Sequence, residues 1–276
     1  NVNSVGMEVG TIKVGALPSS ANSVKGYSSR ISSLIKRKGI LSVFIKIYES
    51  AVIRFNFKKT YLDYIFYGGV KSIDKSHRIF STARSKVSVH TLDYDSFLRR
   101  GGRLIQERYI VFIDQYLPHH PDILLLSSGG VNCASNGDIE EYYYYLNKFF
   151  KKIEKKYKCK VVISAHPRSD YVNKDPIFFK REVVFDNTKE LIQYSEFCIT
   201  YNSTAVNFAV LYQKPIMFIN MGLFDNFVNK HDQDVAYSMS YELDSMPCKI
   251  DRNHVILTDL KVNKNKYREY QINYIK

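Results

Sequence analysis

The chain has 276 residues, of which 45% are hydrophobic, so it can form one large globular domain or two of ordinary size. No run of eighteen apolar residues is present, which argues against a transmembrane helix. The 40 Lys and Arg residues outnumber the 27 Asp and Glu residues. The resulting net charge of +13 favours an anionic partner, namely nucleic acid, a membrane surface or a phosphorylated ligand.

The cysteines lie far apart and form no C-x-x-C pair, which argues against a zinc ribbon or a redox pair. They are Cys133, Cys159, Cys198 and Cys248. Those beside predicted strands are expected to act as small apolar groups. The opening residues, NVNSVGMEVG, lack the basic and apolar segments of a signal peptide. We therefore expect a reducing, cytoplasmic location.

The first part of the chain has a β–α–β order with few strands. Strands are predicted over 10–16, 62–67 and 86–90, and helices at about 28–38 and 40–57. These strands are too few for a complete nucleotide-binding-type domain. We therefore expect residues 1–103 to form an N-terminal Rossmann-like domain that is incomplete at its start.

Positive charge is concentrated between Lys25 and Lys59, where nine Lys or Arg residues face a single acidic residue, Glu49. Apolar residues recur in this stretch at roughly helical spacing. Residues 25–59 can therefore be a basic amphipathic helix pair that lies on an anionic membrane, or helices with an ordinary solvated basic face. No recognition motif of the common nucleic-acid-binding modules is present, so nucleic acid is not expected as a partner.

From residue 108 onward, strands and helices alternate regularly. Strands are predicted over 108–114, 160–165, 182–185, 197–201 and 216–220. Helices are predicted over 138–157, with a capping box of Asp138 and Glu141, from Asn187 and Glu190 onward, and over 203–213. This alternation predicts an α/β domain with a parallel sheet and helices on both of its faces. We assign it to residues 104–255, followed by a tail, 256–276, that packs back on the N-terminal domain.

Ligands of open α/β sheets bind outside the carboxyl ends of the strands, and polar residues follow three predicted strands here. After 160–165 come His166, Pro167 and Arg168. His166 and Arg168 could form charge-assisted hydrogen bonds to a phosphate, and Pro167 would fix the loop. The alternative for His166 is a strand-end histidine bonded to a backbone carbonyl. A second His-Pro pair, at His120, does not directly follow a strand and is not favoured as a site.

Asn202, Ser203 and Thr204 lie where a strand changes into a helix. The first N–H groups of a helix are unpaired and aligned with its dipole, so this junction could also hold a phosphate. The alternative is plain helix capping. With the histidine loop one strand away, the sequence favours the phosphate site.

Asp114 ends the strand YIVFID, where a carboxylate suits a general base or a nucleophile. The alternative is an aspartate that caps the next turn or pairs with Arg108 or a lysine. Gln115 could orient a substrate. Asp93 and Asp95 form a D-x-D pair, which can hold a metal on a nucleotide sugar but is common by chance. We therefore predict no metal site and keep Asp95 as an acceptor-side or supporting residue.

An HP motif after a strand, followed by a Ser/Thr motif at a later strand-to-helix junction, resembles bacterial sialyltransferases, polysialyltransferases and the related capsule Kdo transferases. The resemblance covers about residues 86–220 and implies the GT-B fold, with two Rossmann-like domains whose parallel sheets face a central cleft. It makes residues 1–103 the acceptor domain and 104–255 the nucleotide-sugar donor domain. The family's acidic motif, two acids followed by glycine, is not matched, and Asp114 with Gln115 is the nearest stretch.

The resemblance implies transfer of a sugar from a CMP-activated ulosonic acid, such as sialic acid, to a glycan or lipid-linked acceptor of a bacterial surface polysaccharide. His166 and Pro167 would contact the CMP phosphate and ribose, and Ser203 and Thr204 the phosphate. Asp114 would act as base or nucleophile, so inversion and retention both stay open. Neither a cofactor nor a metal is implied, and region 25–59 would contact the inner membrane face. Two alternatives are a UDP-sugar 2-epimerase of the same fold and a non-enzymatic basic protein that binds membrane or glycan.

Overall fold

The computed structural model describes residues 63–71, 80, 83–120, 135–171, 177–221, 230–252 and 255–276. The predicted strand 10–16, the predicted helices 28–38 and 40–57, the basic region 25–59 and Cys133 lie outside these residues. Strand β1 (Tyr64–Gly68) and strand β2 (Ser85–Val89) form a two-stranded sheet, close to the bounds predicted for them. Helix α1 (Leu92–Leu98) follows and was not predicted.

The chain divides into two compact units. Among the described residues, 63–66, 80 and 83–87 belong to one unit, and 67–71 belong to the other together with those from 88 onward. The predicted domains 1–103, 104–255 and 256–276, and the arrangement of two facing sheets, stay predictions.

A second sheet is built from seven strands in the larger unit. They are β3 (Tyr109–Ile113), β4 (Lys160–Ser164), β5 (Val183–Val184), β6 (Cys198–Thr200), β7 (Ile216–Asn220), β8 (Cys248–Ile250) and β9 (Val255–Ile256). The spatial order is β5-β4-β3-β6-β7-β8-β9, and every neighbouring pair is parallel except β8 and β9. The prediction of an α/β fold with a parallel sheet is confirmed.

Five helices follow β3 within the described part of this unit, besides α1, which precedes it. They are α2 (Asn136–Tyr157), α3 (Thr188–Tyr194), α4 (Val206–Leu211), α5 (Lys230–Glu242) and α6 (Lys264–Tyr270), which continues as a π-helical turn, Gln271–Ile275. A 3₁₀ turn, Leu117–His119, follows β3. None of the helices in the described ranges has both the length and the apolar character that a membrane crossing requires.

The order of the strands fixes where a ligand can bind. From β3 the chain moves outward to β4 and β5, and then returns to place β6 on the opposite side of β3. Val111 pairs with Cys198 across β3 and β6, and Ile113 pairs with Ser164 across β3 and β4. The reversal between β3 and β6 is a topological switch point, at which the carboxyl strand ends of open α/β sheets form a crevice.

Alternate residues of the strands enter two separate cores, one on each face of the sheet. On one face Ile110 and Phe112 of β3 pack with the apolar side of α2, which contributes Leu146, Phe149 and Phe150. On the other face the buried side chains of β3 pack with those of α3, α4, α5 and α6. Because side chains alternate between the two faces of a strand, a strand contributes buried residues to both cores, as a parallel sheet covered on both faces requires.

Helix α2 starts earlier than its predicted capping box. Ser135 is the N-cap: its side chain accepts a hydrogen bond from the Asp138 N–H at 3.3 Å, and the Asp138 carboxylate accepts one from the Ser135 N–H at 2.9 Å. Asp138 is therefore the third helical residue of the box and not its cap, and Glu141 instead pairs with Arg252.

The segment 264–275 completes the second core. Tyr267, Tyr270, Tyr274 and Ile275 are buried there. The Ile275 carbonyl accepts a hydrogen bond from the Thr91 N–H at 2.8 Å. The segment therefore joins the helical layer of the sheet to residues that precede β3.

Candidate functional site

Polar side chains after β3 and β6 meet across the switch point. The Asn202 N–H donates to Gln115 Oε1 at 3.1 Å, and Gln115 Nε2 donates to Asn202 Oδ1. Gln115 was predicted to orient a substrate, and in the structure its amide joins two strand ends. Both residues are half-buried.

Asp114 lies next to Gln115 with a carboxylate that is only 4% exposed. Its Oδ1 accepts a hydrogen bond from the Tyr116 N–H at 3.1 Å, and its Oδ2 accepts one from the Tyr171 hydroxyl at 2.6 Å. Tyr116 has a left-handed backbone with φ 55°, which turns its N–H back toward the carboxylate. Asp114 therefore caps the turn that follows β3, as one of its two interpretations expected, while Arg108 pairs with Glu196 at 2.9 Å.

Burial raises the pKa of Asp114 from 3.8 to about 6. Hydrogen bonds from the Tyr171 hydroxyl and from the backbone N–H groups of Tyr116, Gln115 and His166 oppose that rise, because they stabilise the charged form. Burial and the charge of Asp114 raise the pKa of Tyr171 far above its ordinary value. At neutral pH the pair is consequently a carboxylate that accepts a hydrogen bond from a neutral phenol.

His166 follows β4 at the strand end adjacent to Asp114. Its Nδ1 accepts a hydrogen bond from the Arg168 N–H at 3.1 Å, and its carbonyl accepts one from the Ser169 hydroxyl at 2.6 Å. In the neutral ring the proton consequently resides on Nε2, which can donate to a ligand. The ring centroid lies 5.0 Å from that of His120. Pro167 and Arg168 are exposed.

The third polar stretch forms a tight turn before a short helix. Helix α4 was predicted to begin at residue 203, but in the structure it begins at Val206. It has six residues. The N–H groups of Val206 and Asn207 donate to the carbonyls of Ser203 and Thr204 at 3.2 and 3.0 Å. Ser203 Oγ accepts a hydrogen bond from the Ala205 N–H at 3.2 Å. These first N–H groups are paired, so the phosphate argument from an open helix terminus loses support here.

Asp95 lies on α1, where its carboxylate is 3.7 Å from Nδ1 of His90. Its neighbour Asp93 accepts a hydrogen bond from Asn207 of α4 at 2.7 Å, and burial raises the pKa of Asp93. Both aspartates thus have structural contacts. Within the described part of the chain, no group of three or more His, Cys, Asp or Glu side chains is placed to hold a metal ion.

Sequence reasoning missed the aromatic residues around Asp114. The Tyr171 hydroxyl lies 3.4 Å from that of Tyr143, and the Tyr171 ring packs edge-on against Tyr116 at 5.2 Å. His119 stacks on Tyr143 at 6.2 Å. Tyr171 directly follows the HPRSD stretch, and this position could have identified it as a site residue. Tyr143 lies far from that stretch in the sequence and has no such signal.

A small cavity lies behind the Gln115–Asn202 pair and is lined by Phe112, Tyr142, Tyr201 and Ile219 among others. Its volume of about 10 Å³ has room for one water molecule at most. Any larger ligand of the crevice must therefore bind on the open side of the strand ends.

The fold and the site together define a doubly wound α/β protein with a buried carboxylate and a histidine loop beside its switch point. No protein-family model matches the chain, and no curated protein matches it. One similar solved structure is described as "Crystal Structure Analysis of the Glycotransferase of kitacinnamycin". The likeness covers 89% of this chain and 57% of that chain, at 10% identity and a TM-score of 0.36. The chain thus spans less than two thirds of that protein, and a TM-score this low carries no conclusion about fold or activity.

Proposed function

We propose that the protein is a glycosyltransferase of bacterial surface polysaccharide synthesis. It transfers an ulosonic acid, such as sialic acid, from a CMP-activated donor to a glycan or lipid-linked acceptor. The observation that carries the proposal is the placement of Asp114 and His166 at adjacent carboxyl strand ends, where Ile113 pairs with Ser164 across β3 and β4 and the Tyr171 hydroxyl donates to Asp114 at 2.6 Å. The phosphate ligand and the proton acceptor of the reaction then lie side by side. The resemblance of the HP and Ser/Thr motifs supplies the substrate class.

In this proposal the donor phosphate binds to the loop after β4. His166 donates from Nε2, because its Nδ1 is occupied by the Arg168 N–H, and the Arg168 guanidinium supplies positive charge. Pro167 stiffens the loop, and Asn202, Ser203 and Thr204 complete the nucleotide side with polar side chains. Charge that develops on the leaving CMP is stabilised by these donors, and the reaction requires no metal.

Asp114 then acts as the general base, through Tyr171. The acceptor oxygen bonds to the anomeric carbon while the bond from that carbon to the CMP phosphate oxygen breaks, and CMP leaves with the electron pair. The proton of the acceptor hydroxyl passes to the Tyr171 oxygen as the Tyr171 proton passes to Asp114. A pKa of about 6 suits a base at neutral pH. Direct attack by Asp114 on carbon is disfavoured because both of its oxygens are bonded and buried, so we propose inversion of the anomeric centre.

The proposed acceptor is reached at the cytoplasmic face of the membrane, through the basic region 25–59. This part of the proposal rests on the charge of the sequence alone.

Titration calorimetry with CMP tests the proposal directly. The wild type should bind CMP, and His166→Ala should weaken binding by about tenfold or more, since it removes a hydrogen bond to a charged phosphate. His90→Ala is the matched control, because His90 is exposed and its Nδ1 contacts Asp95 of α1 at 3.7 Å, and it should leave affinity within about twofold. Absence of CMP binding by the wild type would overturn the proposal.

A UDP-sugar 2-epimerase is the second candidate, because His120 lies 5.0 Å from His166 and an epimerase needs additional proton-transfer groups in its crevice. Incubation with UDP-GlcNAc in the absence of any acceptor separates the two activities. Isomerised sugar would favour the epimerase, whereas intact UDP-GlcNAc together with CMP binding would favour the transferase.

A further inference from the structure

An open groove lies beside the Asp114 network. It runs between the first turns of α2, where Ile139, Glu140, Tyr143 and Tyr144 line it, and the turn 177–180, where Ile177 and Phe179 line it. Its volume of about 580 Å³ lies in the range of small-ligand sites. We call it the aromatic groove.

Two aromatic side chains of this groove are presented to solvent. Phe179 is 65% exposed and Tyr144 is 56% exposed. Phe179 also has a left-handed backbone with φ 47°, followed by Lys180 with φ 63°. Two successive residues with side chains are unfavourable in this region, and such conformations persist only where the surroundings impose them.

The surroundings of the turn do impose it. The Arg181 guanidinium donates to both carboxylate oxygens of Glu154 at 2.9 and 2.8 Å and to Asn147 Oδ1 at 2.7 Å. Asn147, only 4% exposed, donates in turn to the Ile177 carbonyl at 2.8 Å. Phe178 is buried under the turn, and Phe179 is directed outward. The exposed ring is thus held on a fixed support, which lowers the cost of ordering it when a ligand binds.

From this geometry we propose that the aromatic groove binds a neutral oligosaccharide. The faces of Phe179 and Tyr144 offer flat apolar surfaces for the C–H faces of pyranose rings. The exposed Glu140 carboxylate can accept hydrogen bonds from sugar hydroxyls, while Glu141 is occupied by Arg252 at 2.8 Å. Among the described residues, the unpaired charge at the rim is thus the Glu140 carboxylate, which disfavours an acidic sugar, even on a chain of net charge +13.

The groove and the candidate site share a contact through Tyr143. Tyr143, which lines the groove, has its hydroxyl 3.4 Å from that of Tyr171, the hydrogen-bond donor to Asp114. Assigning the bound saccharide as the acceptor chain rests on the proposed function, whereas binding of a neutral saccharide does not. In that assignment the groove holds the sugars that precede the reacting end.

The probe is a printed array of bacterial surface oligosaccharides, tested with the full chain and with Phe179→Asn. Asparagine tolerates the left-handed backbone better than most residues, so the variant removes the ring and keeps the turn. Tyr241→Asn is the matched control, because Tyr241 is 85% exposed on α5 and does not line the groove. The wild type and the control should bind the same neutral glycans, and Phe179→Asn should bind them about fivefold more weakly.

Binding of acidic glycans only, binding of no glycan, or equal binding by Phe179→Asn overturns the proposal. A further outcome is that the wild type is a dimer, that Phe179→Asn is a monomer and that neither binds a glycan. That outcome would mean that the groove contacts a second copy of the chain, and it would overturn the proposal. Calorimetry with CMP on the same samples keeps the two proposals separate. Glycan binding that depends on Phe179, without CMP binding, would support the groove proposal and overturn the proposed function. CMP binding without glycan binding would support the proposed function and overturn the groove proposal.

Discussion

The polar residues after β4 and those after β6 flank the same switch point, but they have different roles in the fold. The loop after β4 leads to Tyr171, whose hydroxyl donates a hydrogen bond to the buried Asp114. In the turn after β6, the N–H groups of Ala205, Val206 and Asn207 are bonded to Ser203 and Thr204, and the Asn202 N–H donates to Gln115. Polar residues follow both strands, but in the described part of the chain it is those after β4 that contact a buried charged side chain.

The two segments also differ in the free energy of burying their polar groups. A carboxylate removed from water costs free energy that its hydrogen bonds only partly offset, and here the pKa of Asp114 shows that the cost prevails. The turn at Ser203 contains no such cost, because its groups are neutral and locally bonded. We therefore expect substitutions at the Asp114 side to change both stability and activity, and those at the Ser203 side to change stability little.

The largest effect is expected for Asp114→Asn. It should lower transferase activity by about 10²- to 10⁴-fold, since the proposed base is lost. Between pH 3.8 and about 6 the native wild type binds the Asp114 proton more tightly than the unfolded chain does, so wild-type stability falls as the pH rises through this window. The variant lacks this loss, so its stability relative to the wild type should rise by up to about 3 kcal/mol between pH 4 and pH 7.

Urea unfolding at several pH values measures this difference. The stability of Asp114→Asn relative to the wild type should be lower near pH 4 than at pH 7, while Asp251→Asn, which removes an exposed carboxylate, controls for the change in net charge. A relative stability that is the same at every pH would contradict the assignment of the cost to a buried charge.

Tyr171→Phe should have the next largest effect. It removes one hydrogen bond to the Asp114 carboxylate, which is expected to cost about 1.5–3 kcal/mol at pH 7. The loss also raises the pKa of Asp114 further, so the stability change with pH should extend above pH 6. Tyr144→Phe, at an exposed position of α2, is the matched control. A stability curve of Tyr171→Phe that coincides with the wild type would show that Tyr171 does not hold the carboxylate.

The Gln115–Asn202 pair connects the two sides and should have an intermediate effect. A double-mutant cycle of Gln115→Ala and Asn202→Ala is expected to give a coupling free energy of about 1 kcal/mol. Strictly additive losses in urea unfolding would mean that the two strand ends are not joined energetically.

The smallest effect is expected for Ser203→Ala, at about 0.5 kcal/mol, because only one local hydrogen bond to the Ala205 N–H is lost. Ser135→Ala, which removes the N-cap of the long helix α2, should cost about 1 kcal/mol in comparison. If Ser203→Ala cost more than Ser135→Ala in thermal unfolding, the β6 turn would be more than a local cap.

The sequence predicted strands β3 to β7 of the large sheet well, because buried parallel strands are short apolar runs bounded by polar residues, whereas β8 and β9 were not predicted. Helix starts were less accurate. Ser135 caps α2, three residues before the predicted Asp138, and α4 starts three residues later than predicted. In both cases a serine lies near a polar turn, where its side chain can either cap the helix or close the turn. The tertiary structure decides which of the two hydrogen bonds forms.

Contacts between distant residues could not be predicted. Helix α1 was missed because its apolar residues Tyr94 and Phe97 find their partner in Tyr212, whose ring lies 4.9 Å from that of Phe97. The bond between Tyr171 and Asp114 likewise depends on the adjacency of β3 and β4. The prediction that Asp114 and His166 lie at strand ends is confirmed, whereas their roles in catalysis and binding stay predictions.

The segment 264–275 has a consequence for how the protein is made. Its residues Tyr267, Tyr270 and Tyr274 fill one face of a sheet whose first strand, β3, emerges from the ribosome about 150 residues earlier at ordinary synthesis rates. Until that segment is synthesised, the part of the second core that its tyrosines fill remains uncovered. Nascent chains should therefore need protection from aggregation for most of translation, and premature termination before residue 264 should yield a chain that cellular quality control degrades.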